Sequence, residues 1–173
     1  MALTLHYSNE DDRAYGLAGM TISLAVLDAI DRVVGISIDS DGPMVDFSQE
    51  FYCSLSPAVS PKSVWDNLLR NYHLTASMVV SNVMARSLVR LGEEVPKDIL
   101  DSIYSEIETE GRESCGLEED EVKAMYNKIL SQNRRIFLNP RMHPAVDRLA
   151  SVISRRRTLS GGELRDELHL LQL

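Results

Sequence analysis

The sequence predicts a mainly α single domain, a bundle of five to six helices over residues 1–173 with a small β-hairpin at about residues 35–55. Three observations favour this fold class. The chain is 44% hydrophobic, which is enough for a core without disulfides or a structural metal. Aromatic residues make up only 6%, so the core consists mainly of aliphatic side chains. Most of these side chains recur at helical spacing.

The first helix is predicted from about Glu10 to Val34. Asn9 can cap its N-terminus, and the acidic residues that follow complement the helix dipole. Its apolar residues cover more than one face, which is typical of a helix at the centre of a bundle. Gly16 and Gly19 belong to a set of small residues that leave room for a neighbouring backbone to approach closely.

The segment after this helix favours two short strands. Residues 35–38 alternate in polarity, and residues 41–43 read Asp-Gly-Pro, which is typical of a turn. Apolar residues then recur mostly at every second position, at Val45, Phe47, Phe51, Cys53 and Leu55. An isolated hairpin is only marginally stable, so we expect it to lie against the helices. The alternative interpretation is an ordered loop.

A long second helix is predicted from Pro61 to about Leu91, capped by Ser60 and stopped by Gly92. Apolar residues recur along it with spacings of four and three. This heptad seam consists of Trp65, Leu69, Tyr72, Ala76, Val79 and Val83. Such a seam is usually part of the domain core, but it can also form a dimer interface. The candidate interaction residues are therefore Trp65, Leu69, Tyr72, Val79 and Val83.

Four further helices are predicted to begin at Pro96, Glu118, Pro144 and Ser160, the first of them ending near Gly111. Ser160 and Glu163 have the spacing of a capping box, with leucines placed to flank it as a hydrophobic staple.

Residues 159–163 read LSGGE, which resembles the signature segment of ABC-type ATPases. That family also carries a GxxxxGK[ST] phosphate loop, and this sequence has none. We therefore interpret the segment as a helix cap, and no cofactor is predicted.

The charge of the chain is divided unevenly. The formal net charge is −8, but residues 1–133 carry −12 and residues 134–173 carry +4, all of the basic residues in the second part being arginine. One interpretation is that the basic end docks on the acidic body. The alternative is that it binds an anionic partner such as nucleic acid. The candidate contact residues for that partner are Arg148, Arg155, Arg156 and Arg157.

Catalytic and metal patterns are weak. Cys53 and Cys115 show neither metal-ligand nor disulfide spacing, so we expect reduced thiols, and no metal is predicted. Asp66, His73 and Ser77 share one helical stripe. Seven residues place Asp66 and His73 roughly 10 Å apart along the axis, too far for a triad hydrogen bond. A small hydrolase or metal-dependent enzyme that uses the acidic residues remains an alternative.

The leading hypothesis is a non-enzymatic protein-interaction or regulatory module. Its expected partner is a second copy of the chain, as a homodimer, or another protein. The longest uncharged apolar-rich run, Ala14 to Leu27, has 14 residues, whereas a membrane span needs about 20. The N-terminal residues also lack the features of a signal peptide. We therefore expect a soluble, cytoplasmic protein with no membrane association.

Overall fold

The computed structural model describes residues 5–52 and 60–172. It is 72% helical, and within the described ranges six helices have ten or more residues and three strands form one antiparallel sheet. The predicted mainly α class with a small hairpin is confirmed. Each helix in this part of the chain is too short or too polar to cross a lipid bilayer.

The helices of the bundle are α1 (Glu10–Val26), α3 (Pro61–Met84), α4 (Lys97–Cys115), α5 (Glu119–Phe137), α6 (His143–Arg156) and α7 (Gly161–Leu170), with a four-residue α2 (Gln49–Tyr52). The strands are β1 (Val33–Ser37), β2 (Val45–Phe47) and β3 (Thr158–Ser160). Helices α3 and α6 both pack on α1. Helices α4 and α5 pack on α3 and on each other, and α7 lies against β1.

Helix α1 is central, as predicted, and its glycines lie against α3. A Cβ atom at Gly19 would lie 2.5 Å from the carbonyl oxygen of Ser81 and 2.6 Å from the Cβ of Ala85. At Gly16 it would lie 2.6 Å from the side-chain nitrogen of Asn82. The close backbone approach predicted from these small residues is therefore confirmed.

The predicted C-terminal end of α1 at Val34 is wrong. The helix ends at Val26, and Asp28 adopts a left-handed conformation with φ of 54°. The backbone N–H of Ala29 then donates to the carbonyl of Leu24 at 2.9 Å, which closes the helix end. After a 3-10 turn, β1 begins at Val33. The β-branched residues 33 and 34 lie in β1, which pairs with another strand on each side.

The sheet has the order β2-β1-β3, with both pairs antiparallel. Ile36 pairs with Val45 on one side and with Leu159 on the other. The second strand ends at Phe47, so the prediction that it continues through Phe51 is wrong. Phe51 lies in α2, four residues after Phe47, and the two rings stack with their centroids 4.0 Å apart. The predicted strand positions 53 and 55 lie outside the described residues.

Helix α3 continues into a π-helical turn, Ala85–Leu91, before it stops at Gly92. This matches the predicted helical span of residues 61–91. Gly92 has φ of 69°, a left-handed conformation that favours glycine. The π-helical turn carries Arg86, which is almost fully buried.

Helix α4 passes through Gly111, where its end was predicted, and stops at Gly116. A side chain at Gly111 would overlap the hydroxyl of Tyr72, so this glycine serves the packing of α4 on α3. The capping box of Ser160 and Glu163 at the start of α7 is confirmed. Glu118 and Glu121 form a second capping box before α5.

Candidate functional site

The heptad seam of α3 is divided between the interior and the surface. Tyr72 and Val83 are buried, Leu69 and Val79 are half-buried, and Trp65 is 45% exposed. The hydroxyl of Tyr72 donates a hydrogen bond of 2.6 Å to the backbone carbonyl of Ile107 in α4. Burial raises the pKa of Tyr72 to about 12, with smaller contributions from the nearby Cys115, Glu110 and Tyr104. The later part of the seam therefore belongs to the core of its own chain.

The first turns of α3 carry an apolar face that its own chain leaves partly uncovered. Four side chains form this α3 surface: Val64, Trp65, Leu68 and Leu69. Leu68 is 37% exposed, and Val64 and Leu69 are half-buried. Their spacings of three and four place them next to one another on the helix. An exposed patch of this kind is typical of a site where another molecule binds.

Three charged residues interleave with the α3 surface at intervals of four. Lys62, Asp66 and Arg70 are exposed and make no ion pair with a described residue. Both signs of charge are therefore available beside the apolar side chains.

Sequence reasoning missed Val64 and Leu68. A heptad template selects about one residue in every three or four, and it selected Trp65 and Leu69 instead. The signal that could have found the other two is the repeated apolar pair at 64–65 and 68–69, which widens the stripe at this end of the helix.

Two of the four candidate anion contacts bind acidic groups of the chain itself. Arg157 donates to Glu10 at 2.9 Å and to Asp39 at 2.8 Å, and Arg156 pairs with Glu163. The hydrogen bonds from Arg157 lower the pKa of both Glu10 and Asp39. The contacts of Arg157 join the basic end of the chain to its acidic body, whereas the Arg156–Glu163 pair lies within the basic end.

The other two candidate contacts, Arg148 and Arg155, are exposed on α6 and form no ion pair with a described residue. They are the members of this set that remain available to an anionic partner.

A buried polar cluster surrounds Asp12, and its own members supply the hydrogen bonds to the Asp12 carboxylate. Arg86 donates to both carboxylate oxygens of Asp12, at 2.9 and 2.7 Å, and Arg90 donates to the same carboxylate at 3.3 Å. The backbone N–H and hydroxyl of Ser8 complete the shell of Asp12, at 2.9 and 3.2 Å. A carboxylate with this many donors is held ionised and fixed in place, which suits a structural role.

The residues considered for catalysis are not brought together. In the described part of the chain, no hydrogen bond joins Asp66, His73 and Ser77. Cys115 is buried, and burial, followed by the charge of Glu110, raises the pKa of its thiol. Among residues 5–52 and 60–172, no group of three His, Cys, Asp or Glu side chains could hold a metal ion. Cys53 lies outside the described residues.

The protein is thus a helical domain with an apolar patch on its surface, at the first turns of α3. Comparisons with protein-family profiles, with curated proteins and with solved structures found no significant match.

Proposed function

We propose that this protein is a non-enzymatic interaction module whose partner is a second copy of the same chain, bound through the α3 surface. The observation that supports it is the exposure of Trp65 and Leu68 on a helix whose later turns are buried. Tryptophan is enriched at the energetically dominant centres of interfaces, where it buries a large area at low entropic cost.

The order of residues on the α3 surface favours pairing with an antiparallel copy. In a two-fold interface, if one residue of the first copy contacts a second residue of the other copy, the reverse contact is also made. Reversal about the midpoint between residues 66 and 67 brings Val64 opposite Leu69 and Trp65 opposite Leu68. All four apolar side chains then meet apolar partners.

The charged residues fit the same arrangement. Reversal about that midpoint brings Lys62 opposite Asn71, Arg70 opposite Ser63 and Asp66 opposite Asn67, so no like charges meet. A parallel pair in register would instead bring Asp66 against its own copy, which is unfavourable. Four side chains cover less than the roughly 800 Å² per partner of a standard interface, so we expect a weak, concentration-dependent dimer.

Sedimentation velocity over a range of protein concentrations, at two salt concentrations, tests the proposal. We expect a monomer–dimer equilibrium that Leu68→Ser shifts towards monomer. Leu170→Ser is the matched control, because Leu170 is 61% exposed but lies on α7, away from the α3 surface. A monomer at every concentration and both salt levels, or equal effects of the two variants, would contradict self-association.

A second candidate function is the binding of nucleic acid or another polyanion through the arginine-rich end. Arg148 and Arg155 favour it, since both are exposed and unpaired among the described residues. Retention on heparin or DNA at low salt, reduced in a variant with Arg148→Gln and Arg155→Gln, is the expected result. Elution in the flow-through would exclude it.

Our proposal includes a cytoplasmic location. The acidic composition and the buried free thiol of Cys115 support it. Cell fractionation tests this part, and recovery in a secreted or membrane fraction would contradict it.

A further inference from the structure

A pocket of about 300 Å³ lies between the end of α1 and the middle of α3. Arg70, His73 and Leu74 line it from α3, where spacings of three and four place them on one face. Arg32 lines it from the 3-10 turn that follows α1. Two arginines and one histidine therefore line one small cavity.

Neither arginine of this pocket has an acidic partner among the described residues. This is notable because acidic residues outnumber basic ones by 26 to 18 in the chain. Asp28 also lines the pocket, but its carboxylate lies beyond ion-pair distance of both arginines. An anion bound in the pocket would balance the positive charge of these two arginines, and the planar fork of a guanidinium group matches the oxygens of a phosphate.

His73 adds a neutral donor to the pocket. Burial, and to a smaller extent the charge of Lys128, lowers the pKa of His73, so its imidazole is uncharged at neutral pH. A neutral imidazole carries one N–H that can donate to an anion. Leu27 and Leu74 supply apolar lining beside these polar groups.

From these observations we infer that the pocket binds a small phosphate monoester. The phosphate group lies between Arg32 and Arg70 with His73 as a further donor, and the organic part rests against Leu27 and Leu74. The volume lies at the lower end of the range for small-molecule sites. This inference does not rest on self-association: Arg70 also flanks the α3 surface, whereas Arg32 and His73 are not part of that surface.

Isothermal titration calorimetry with phenyl phosphate as the probe tests the inference. Arg32→Gln and Arg70→Gln should each weaken binding about 10- to 100-fold, the usual effect of losing hydrogen bonds to a charged group. Arg141→Gln is the matched control, since Arg141 is exposed in the loop before α6 and should leave the affinity unchanged. Circular dichroism verifies that each variant is folded.

Asp28→Asn separates ligand binding from a purely structural role of the arginines. Asparagine tolerates the left-handed backbone of residue 28, so we expect this variant to fold. Removal of the negative charge should tighten phenyl phosphate binding several-fold. If the arginines only neutralise Asp28 and the C-terminal dipole of α1, phenyl phosphate will bind neither the unsubstituted protein nor the Asp28→Asn variant.

Three results would overturn the inference: no binding at millimolar phenyl phosphate, equal affinity of Arg70→Gln and Arg141→Gln, or binding of benzoate as tightly as phenyl phosphate. In support, the ring-proton resonances of His73 should shift on addition of phenyl phosphate, and His169 on α7 should not shift.

Discussion

Arg86 and Asp12 form a buried ion pair, with Arg86 Nη2 2.7 Å from Asp12 Oδ2, although they are 74 positions apart in the sequence. Arg86 also donates to the backbone carbonyl of His6 at 3.0 Å, and its guanidinium lies 4.8 Å from the centre of the Tyr7 ring. One side chain thus holds the N-terminal segment and α1 against the π-helical turn at the end of α3.

Arg86→Met should lower the free energy of unfolding by about 3–5 kcal/mol, because it leaves the buried carboxylate of Asp12 without its main partner. Urea denaturation measures the change. Arg134→Met is the control, since Arg134 pairs with Glu94 on the surface and such pairs contribute about 1 kcal/mol or less. Equal losses in the two variants would show that the buried pair has no special role.

Asp12 should make the stability depend on pH in acid. Burial alone would raise its pKa, but hydrogen bonds from Arg86 and Ser8 and the charges of Arg86 and Arg90 outweigh burial and lower it below its ordinary value. A depressed folded-state pKa means that the stabilisation is present above the unfolded-state pKa and is lost as the pH falls through the folded-state value.

Measurement of the free energy of unfolding between about pH 2 and 7 tests this dependence. Asp12→Asn should be less stable at neutral pH and should lose less stability than the unsubstituted protein below about pH 4. Identical acid slopes for both proteins would exclude Asp12 as a source of the dependence.

Gly19→Ala should destabilise the protein by about 1–3 kcal/mol. The added Cβ would meet the backbone oxygen of Ser81 at 2.5 Å, so α1 and α3 would have to move apart. Gly162→Ala in α7 is the matched control, because a Cβ there has no neighbour within 4 Å. Thermal unfolding should show this control to be neutral or more stable by up to about 1 kcal/mol, and a loss as large as that of Gly19→Ala would refute the packing argument.

Ser160→Ala should reduce the stability by about 1 kcal/mol through loss of the α7 cap. The hydroxyl of Ser160 accepts from the Glu163 N–H at 3.3 Å, and the Glu163 carboxylate accepts from the Ser160 N–H at 2.9 Å. Ser154→Ala on the exposed face of α6 is the control and should change the stability little. If chemical denaturation finds the two variants equal, the capping box does not stabilise α7.

Several features of the fold could be predicted because they depend on nearby residues. Ser60 and Ser160 occupy the N-caps where the sequence placed them, and Gly92 ends the long helix at the predicted residue. Helix N-caps and C-terminal glycines in the left-handed conformation depend on residues within one turn, so the local sequence predicts them. The same holds for the glycines of α1, whose missing side chains predict a close neighbour without naming it.

Other features were predicted wrongly or left undecided, because they depend on contacts with residues far away in the sequence. Val33 and Val34 continue the apolar pattern of α1, and only pairing of β1 with β2 and β3 makes them a strand. In the heptad seam, Tyr72 and Trp65 occupy equivalent positions, yet one is buried by α4 and the other is exposed. Periodicity predicts a face but not its covering.

The sequence by itself determined the helical class, the caps and the uneven charge, because these follow from composition and from contacts within a few residues. Only the tertiary structure decided that Arg86 lies inside, that Arg157 binds Glu10 and Asp39, and that Arg32, Arg70 and His73 share one pocket. Each of these depends on segments far apart in the chain, and their meeting is set by how the helices pack together.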